Sequence, residues 1–123
     1  MSIGRVLAVT FDCADPAGLA GFWMAIVGGE IDPRTVADDW VALRDVPGIG
    51  NVGFQKVPEG KSAKNRVHLD VEVDSIDVAA VAAVRAGARM QGGTVAESTG
   101  WFQVMLDPEG NEFCLILRKN RVS

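Results

Sequence analysis

The chain is short of the residues that most often carry chemistry. It has one histidine, His68, no tyrosine, and two cysteines, Cys13 and Cys114. With no second histidine and no C-x-x-C pair, zinc sites built on several imidazoles or thiolates are excluded. Long hydrophobic runs are also missing. No stretch approaches the roughly 20 apolar residues that a membrane-spanning helix needs. The start of the chain, MSIGRVLAVTFDC, lacks the long apolar segment and small-residue cleavage site of an export signal. A cytoplasmic protein with two reduced thiols is the expectation. Positive charge is in deficit: 12 Lys and Arg stand against 16 Asp and Glu, a formal net charge of −4. With its basic residues scattered, the chain is a poor partner for nucleic acid or an acidic membrane surface. Its one basic-leaning stretch, Lys61-Ser-Ala-Lys64-Asn-Arg66, reads as a solubilising linker.

What is present is an ordinary globular composition, 48% apolar and 23% charged over 123 residues, enough for one domain with a working core. Arg5–Cys13 reads as a strand. Asp15-Pro16 then supplies an N-cap and a first-turn proline. Leu19, Phe22, Trp23, Ile26 and Val27 form one apolar helical stripe, which Gly28-Gly29 ends. A short extended piece, Glu30–Pro33, precedes strands at Asp39–Asp45 and Asn51–Val57. After a polar stretch the order starts over. Arg66–Val73 is a strand, Ser75 caps a helix over Ile76–Ala86, and strands follow at Met90–Val95, Gly100–Leu106 and Asn111–Arg118. Short echoes support a duplication: Arg5-Val6 with Arg66-Val67, Trp40 with Trp101, and Gly50-Asn51 with Gly110-Asn111. Each half is a βαβββ unit that buries one sheet face under its helix and leaves the other bare.

The stretch Asn65–Ser75, NRVHLDVEVDS, organises the functional reading. Val67, Leu69, Val71 and Val73 alternate with His68, Asp70 and Glu72, the two-residue period of a strand with one packed face. The single imidazole thus shares a face with two carboxylates, where proton transfer near neutral pH is available to it. Trp40 and Arg44 fall on one side of their strand, an indole and a guanidinium suited to a planar, polar ligand. Asp12 lies on the same alternation as Ala8 and Thr10.

The set TFDCADP, FW, DWVAL, GFQKVPE, NRVHLDVEVD and LDPEGNEFCLI resembles the vicinal oxygen chelate superfamily, in particular its small glyoxalase-like and bleomycin-resistance-like members. The likeness runs over nearly the whole chain. It implies an α+β fold: two βαβββ modules in a cupped, mostly antiparallel eight-stranded sheet around a central cleft. The modules would be 1–58 and 65–123, joined by a linker at 59–64, in one glyoxalase-like domain. It also implies a divalent metal, held in many members by the first and last strand of each module. Carried over by position, those ligands would be Ala8, Gln55 or Phe54, His68 and Cys114. Ala8 cannot bind an ion, and the last-strand position that usually holds Glu is Cys114. Most ligand positions are lost, so no metal ligand is assigned and no cofactor is expected with assurance. This argues against glyoxalase I chemistry, although a divalent ion stays conceivable.

The expectation is a small-molecule-binding protein or metal-independent enzyme of isomerase, lyase or cyclase type. His68 is its candidate acid/base, and Thr10, Trp40, Gln55, Asp70, Phe102 and Cys114 line the ligand site. One alternative is a non-catalytic protein that sequesters a ligand or antibiotic. A second is a divalent-metal enzyme whose incomplete site a partner chain completes. Exposed sheet edges in such cups suggest a homodimer.

Overall fold

The computed structural model describes residues 2–119. The chain divides into two compact units, Met1–Gly60 and Lys61–Ser123, and each is built on the same α+β plan.

In the first unit, β1 (Ala8–Cys13) is followed by α1 (Pro16–Val27), β2 (Glu30–Ile31), β3 (Trp40–Val46) and β4 (Gly50–Lys56). The sheet order is β1-β4-β3-β2, with β1 parallel to β4 and the other pairs antiparallel. The helix starts where the sequence places its cap. Asp15 accepts a hydrogen bond from the Gly18 N–H at 3.1 Å, and Pro16 opens the first turn. It ends at Gly28, whose N–H returns to the Met24 carbonyl. The helix lays Leu19, Phe22 and Trp23 on β3 and β4, over the buried Val41, Leu43, Val52 and Phe54. The ring centroids of Phe11 and Phe22 lie 5.3 and 5.4 Å from that of Trp23, the spacing of tilted and edge-on aromatic pairs. Because side chains alternate along a strand, Ala8, Thr10, Asp12, Trp40, Gly53 and Gln55 occupy the face away from the helix.

The first strand is shorter than its sequence pattern. It begins at Ala8, not Arg5, because its partner β4 begins at Gly50 and Ala8 already pairs with Asn51. Val6 and Leu7 are left exposed.

The second unit runs β5 (Asp70–Glu72), α2 (Ile76–Ala86), β6 (Arg89–Met90), β7 (Val95–Glu97), β8 (Gly100–Leu106) and β9 (Glu112–Arg118). The order is β5-β9-β8-β6, with β7 also on β8 and β5 parallel to β9. Ser75 caps α2 by accepting from the Val78 N–H, and Asp77 sits in the first turn, favourable at the positive end of the helix dipole. The β8–β9 turn is locked by Asp107, fully buried, whose carboxylate accepts from the Glu109 and Asn111 N–H groups at 2.9 Å and from the Asn111 amide.

Two expectations change here. The single strand expected over Met90–Val95 is two short ones, so the described residues form nine strands in sheets of four and five, not eight. Between the pieces the fully buried Gln103 side chain donates to the Gly92 carbonyl and accepts from the Thr94 hydroxyl, taking the place of ladder bonds. The strand expected over Arg66–Val73 is reduced to Asp70–Glu72. Upstream, side chains hold the backbone instead: the Asn65 N–H donates to Glu112 at 2.9 Å and its amide to Asn111. Val67, expected on the packed face, is 76% exposed.

Candidate functional site

His68 lies just outside β5, yet its side chain returns to the strand's open face. Its Nε2 is 3.2 Å from Asp70 Oδ1, an ion-pair distance when the imidazole carries its second proton. Asp70 pairs across the parallel ladder with Cys114. Donor atoms of His68, Asp70 and Cys114 all lie within 4.8 Å of one another. The imidazole and carboxylate are accessible, with side chains 45% and 60% exposed, while the Cys114 thiol is half-buried. Burial pushes that thiol upward in pKa, and the Asp70 carboxylate adds to the effect, against a smaller pull from Lys64. That is the wrong direction for an activated thiolate nucleophile. Phe102 and Val104 share this open face, since Val104 pairs with Cys114 and Phe102 with Ile116. Gln103 and Met105 point to the buried side.

Glu72, the second carboxylate of the alternation, does not serve His68. It is held by Arg118, with Nε and Nη2 at 2.5 and 3.1 Å from its oxygens. The stretch read as a solubilising linker is instead tied to this unit. Lys61 Nζ lies 2.7 Å from Glu112 Oε1. Burial pushes Glu112 upward, but the Asn65 N–H and the Lys61 ammonium outweigh it and hold the carboxyl below its usual range. Sequence reasoning missed this anchor. Its residues are polar, Asn65 lies 47 positions from Glu112 and Lys61 further still, and no periodicity reports a loop folding back.

The first unit places Trp40, Thr10 and Gln55 on its open face. The indole lies over Gly53: a Cβ added there would collide with the ring edge and approach Thr10 Oγ1 to 3.1 Å. Arg44 is not available to a ligand as Trp40's neighbour suggested. It spans to Glu30 at 3.0 Å and lies 3.9 Å from Asp32. Asp32, also bonded by Arg34 at 2.8 Å, has its pKa lowered to about 2, chiefly by that side-chain hydrogen bond.

Strand pairing also corrects the metal-ligand correspondence. Thr10 and Asp70 each stand five residues before their helix cap, Asp15 and Ser75. Thr10 pairs with Gly53 and Asp70 with Cys114. The first-unit counterpart of Cys114 is therefore Gly53, neither Gln55 nor Phe54, and Phe54 is buried under the helix. Of the four positions, Ala8 and Gly53 offer no donor atom. The residues present do not fit the family's two-module ion, which needs three or four oxygen or nitrogen ligands.

Two units of strand, helix and antiparallel strands, each with a helix on one sheet face and polar side chains on the other, define a glyoxalase-type protein. The glyoxalase-like domain family matches residues 8–116, and the chain belongs to that family. Solved structures share the fold. A glyoxalase/bleomycin resistance protein/dioxygenase family enzyme from Burkholderia phytofirmans PsJN is 20% identical, with a TM-score of 0.76 over 90% of this chain and 96% of its own. A genomically encoded fosfomycin resistance protein from Listeria monocytogenes is 13% identical, with a TM-score of 0.74 over 94% of each chain. A glyoxylase/bleomycin resistance protein/dioxygenase domain from Frankia sp. EAN1pec is 19% identical, with a TM-score of 0.70 over 96% of this chain and 100% of its own. No curated protein sequence matches the chain. Among the described residues no helix is long and apolar enough to cross a membrane.

Proposed function

We propose that this protein is a small-molecule enzyme of the glyoxalase-like family that works without the family's two-module metal, with His68 as its acid/base. The observation that carries the reading is the pairing of an accessible imidazole with a carboxylate 3.2 Å away on an open sheet face. A carboxylate at one ring nitrogen orients the imidazole and stabilises the imidazolium once a proton has been taken. That suffices for a proton-transfer step in an isomerisation, cyclisation or elimination. Asp70 is the orienting group. Phe102 and Cys114 supply apolar and weakly polar contact beside it, and Thr10, Trp40 and Gln55 are the proposed ligand contacts of the first unit. The two units together are proposed to act as one domain, in a reduced, cytoplasmic setting suited to two cysteines that form no disulfide.

The test is chelator-treated protein incubated with a panel that includes fosfomycin and bleomycin, the compounds in its solved relatives' names, and read by mass spectrometry. A new product supports catalysis. For any compound converted, His68→Ala should slow turnover by roughly a hundredfold or more; an unchanged rate removes His68 from the mechanism.

A second reading, sequestration, draws on the close approach of the Trp40 indole to Gly53 on the open face. A bound compound recovered unchanged, with its tryptophan fluorescence signal lost in Trp40→Phe, would favour it. A homodimer is also proposed. The terminal strands β1 and β5 are each preceded by exposed apolar residues, Leu7 at 81% and Val67 at 76%, and such edges invite pairing with another chain. Light scattering should give about twice the 13.1 kDa chain mass; the mass of a single chain would contradict it.

A further inference from the structure

We infer that His68, Asp70 and Cys114 form a site of their own for a borderline or thiophilic divalent cation such as Zn²⁺ or Co²⁺, contained wholly in the second unit. This differs from the four-position arrangement that the family implies. Two of those positions are empty here, while Asp70 brings a donor from β5 that the arrangement does not use.

The donor chemistry selects the ion. One nitrogen, one carboxylate oxygen and one sulfur suit Zn²⁺ or Co²⁺ and disfavour Mg²⁺ and Ca²⁺, which take oxygen cages. The geometry is close to what such an ion requires. Donors on a tetrahedral zinc stand ~3.6 Å apart, given Zn–N near 2.0 Å and Zn–S near 2.3 Å. Here all three lie within 4.8 Å, and the His68–Asp70 contact is 3.2 Å. Both of those side chains are exposed enough to close the remaining gap by rotation, while Cys114 is fixed in the ladder opposite Asp70. Three protein donors leave the fourth position to water. On binding, the Cys114 sulfur gives its proton to solvent and coordinates as thiolate.

The neighbouring charges are compatible with a cation. Glu72 is engaged by Arg118 and Lys61 by Glu112, and the carboxylate that acts on the thiol is that of Asp70. Lys64 is the opposing charge. An ion and a proton are alternative occupants of the imidazole, so an ion bound here would silence the acid/base role proposed above. The inference rests on the same residues as that role but not on any reaction.

The experiment uses reduced, chelator-treated full-length protein titrated with Co²⁺ alone, without organic ligand. The expected result is a thiolate-to-cobalt charge-transfer absorption in the near ultraviolet that saturates at one equivalent and is displaced by Zn²⁺. Cys114→Ser should abolish the band, Cys13→Ala should leave it intact, and His68→Ala or Asp70→Ala should weaken binding by roughly tenfold or more. Circular dichroism checks that each variant is folded. Absence of the band in wild-type protein, or its survival in folded Cys114→Ser, overturns the inference. Because the product assay above runs with chelator present, either result can fail without the other.

Discussion

The two units follow one plan and differ in what they put on it. At matching places on the open face, the first has Ala8, Thr10 and Gly53 where the second has His68, Asp70 and Cys114. The missing side chain at Gly53 lets the Trp40 indole come close to the first unit's sheet. The larger polar residues of the second bring three donor groups within reach of one another. The difference shows how a duplicated fold can divide labour: the frame is kept by buried residues, and the open face is free to vary. Among the described residues, the one cluster of histidine, carboxylate and thiol donors lies in the second unit.

The largest effect should come from breaking the frame. Trp23 is 1% exposed and touches Phe11 and Phe22. Trp23→Ala should cost about 3–5 kcal/mol in urea unfolding. A loss under about 1 kcal/mol would mean the first unit is not held by this core. A smaller effect is expected from making the two faces alike. Gly53→Ala should push the Trp40 ring off the sheet and shift the tryptophan emission, while leaving the urea midpoint nearly unchanged. An unchanged spectrum would contradict the close approach of indole to backbone.

The smallest effect concerns the charges at the first unit's edge. Asp32 has its pKa lowered from 3.8 to about 2 by Arg34. Between those values the unfolded chain binds more protons than the folded one, so stability rises with pH through that window. It is complete above 3.8 and lost as pH falls towards 2. Asp32→Asn should flatten this part of the acid-unfolding curve followed by circular dichroism. A curve with wild-type slope would show that the ion pair adds nothing.

Much of the plan was legible from the chain. Asp15-Pro16 and Ser75 mark the helix starts through their caps, and Gly28 and Gly87 mark the ends, because these signals are local and chemical. Strand lengths were not legible, since they depend on partners. The alternation of Arg66–Val73 continues past the point where β9 offers a neighbour, so Val67 looks packed in sequence and is exposed in the fold. The ladder also decided the site. Counting along one strand leaves an uncertainty of one residue or more, whereas pairing Thr10 with Gly53 removes Gln55 and Phe54 from the ligand position. That Asp70 shares a face with His68 was legible from the alternation; that it would also meet Cys114 follows from parallel pairing of strands more than 40 residues apart, which no local pattern encodes.

The lone histidine offers the most direct test of this division, since its imidazole gives a single set of ring signals in a proton–carbon NMR spectrum. On adding one equivalent of Zn²⁺ to chelator-treated protein, those signals should move in the wild type and in Gln55→Ala, and stay still in Cys114→Ser. Signals that move as readily without the thiol, or that respond only while Gln55 is present, would show that the working groups are not confined to the second unit.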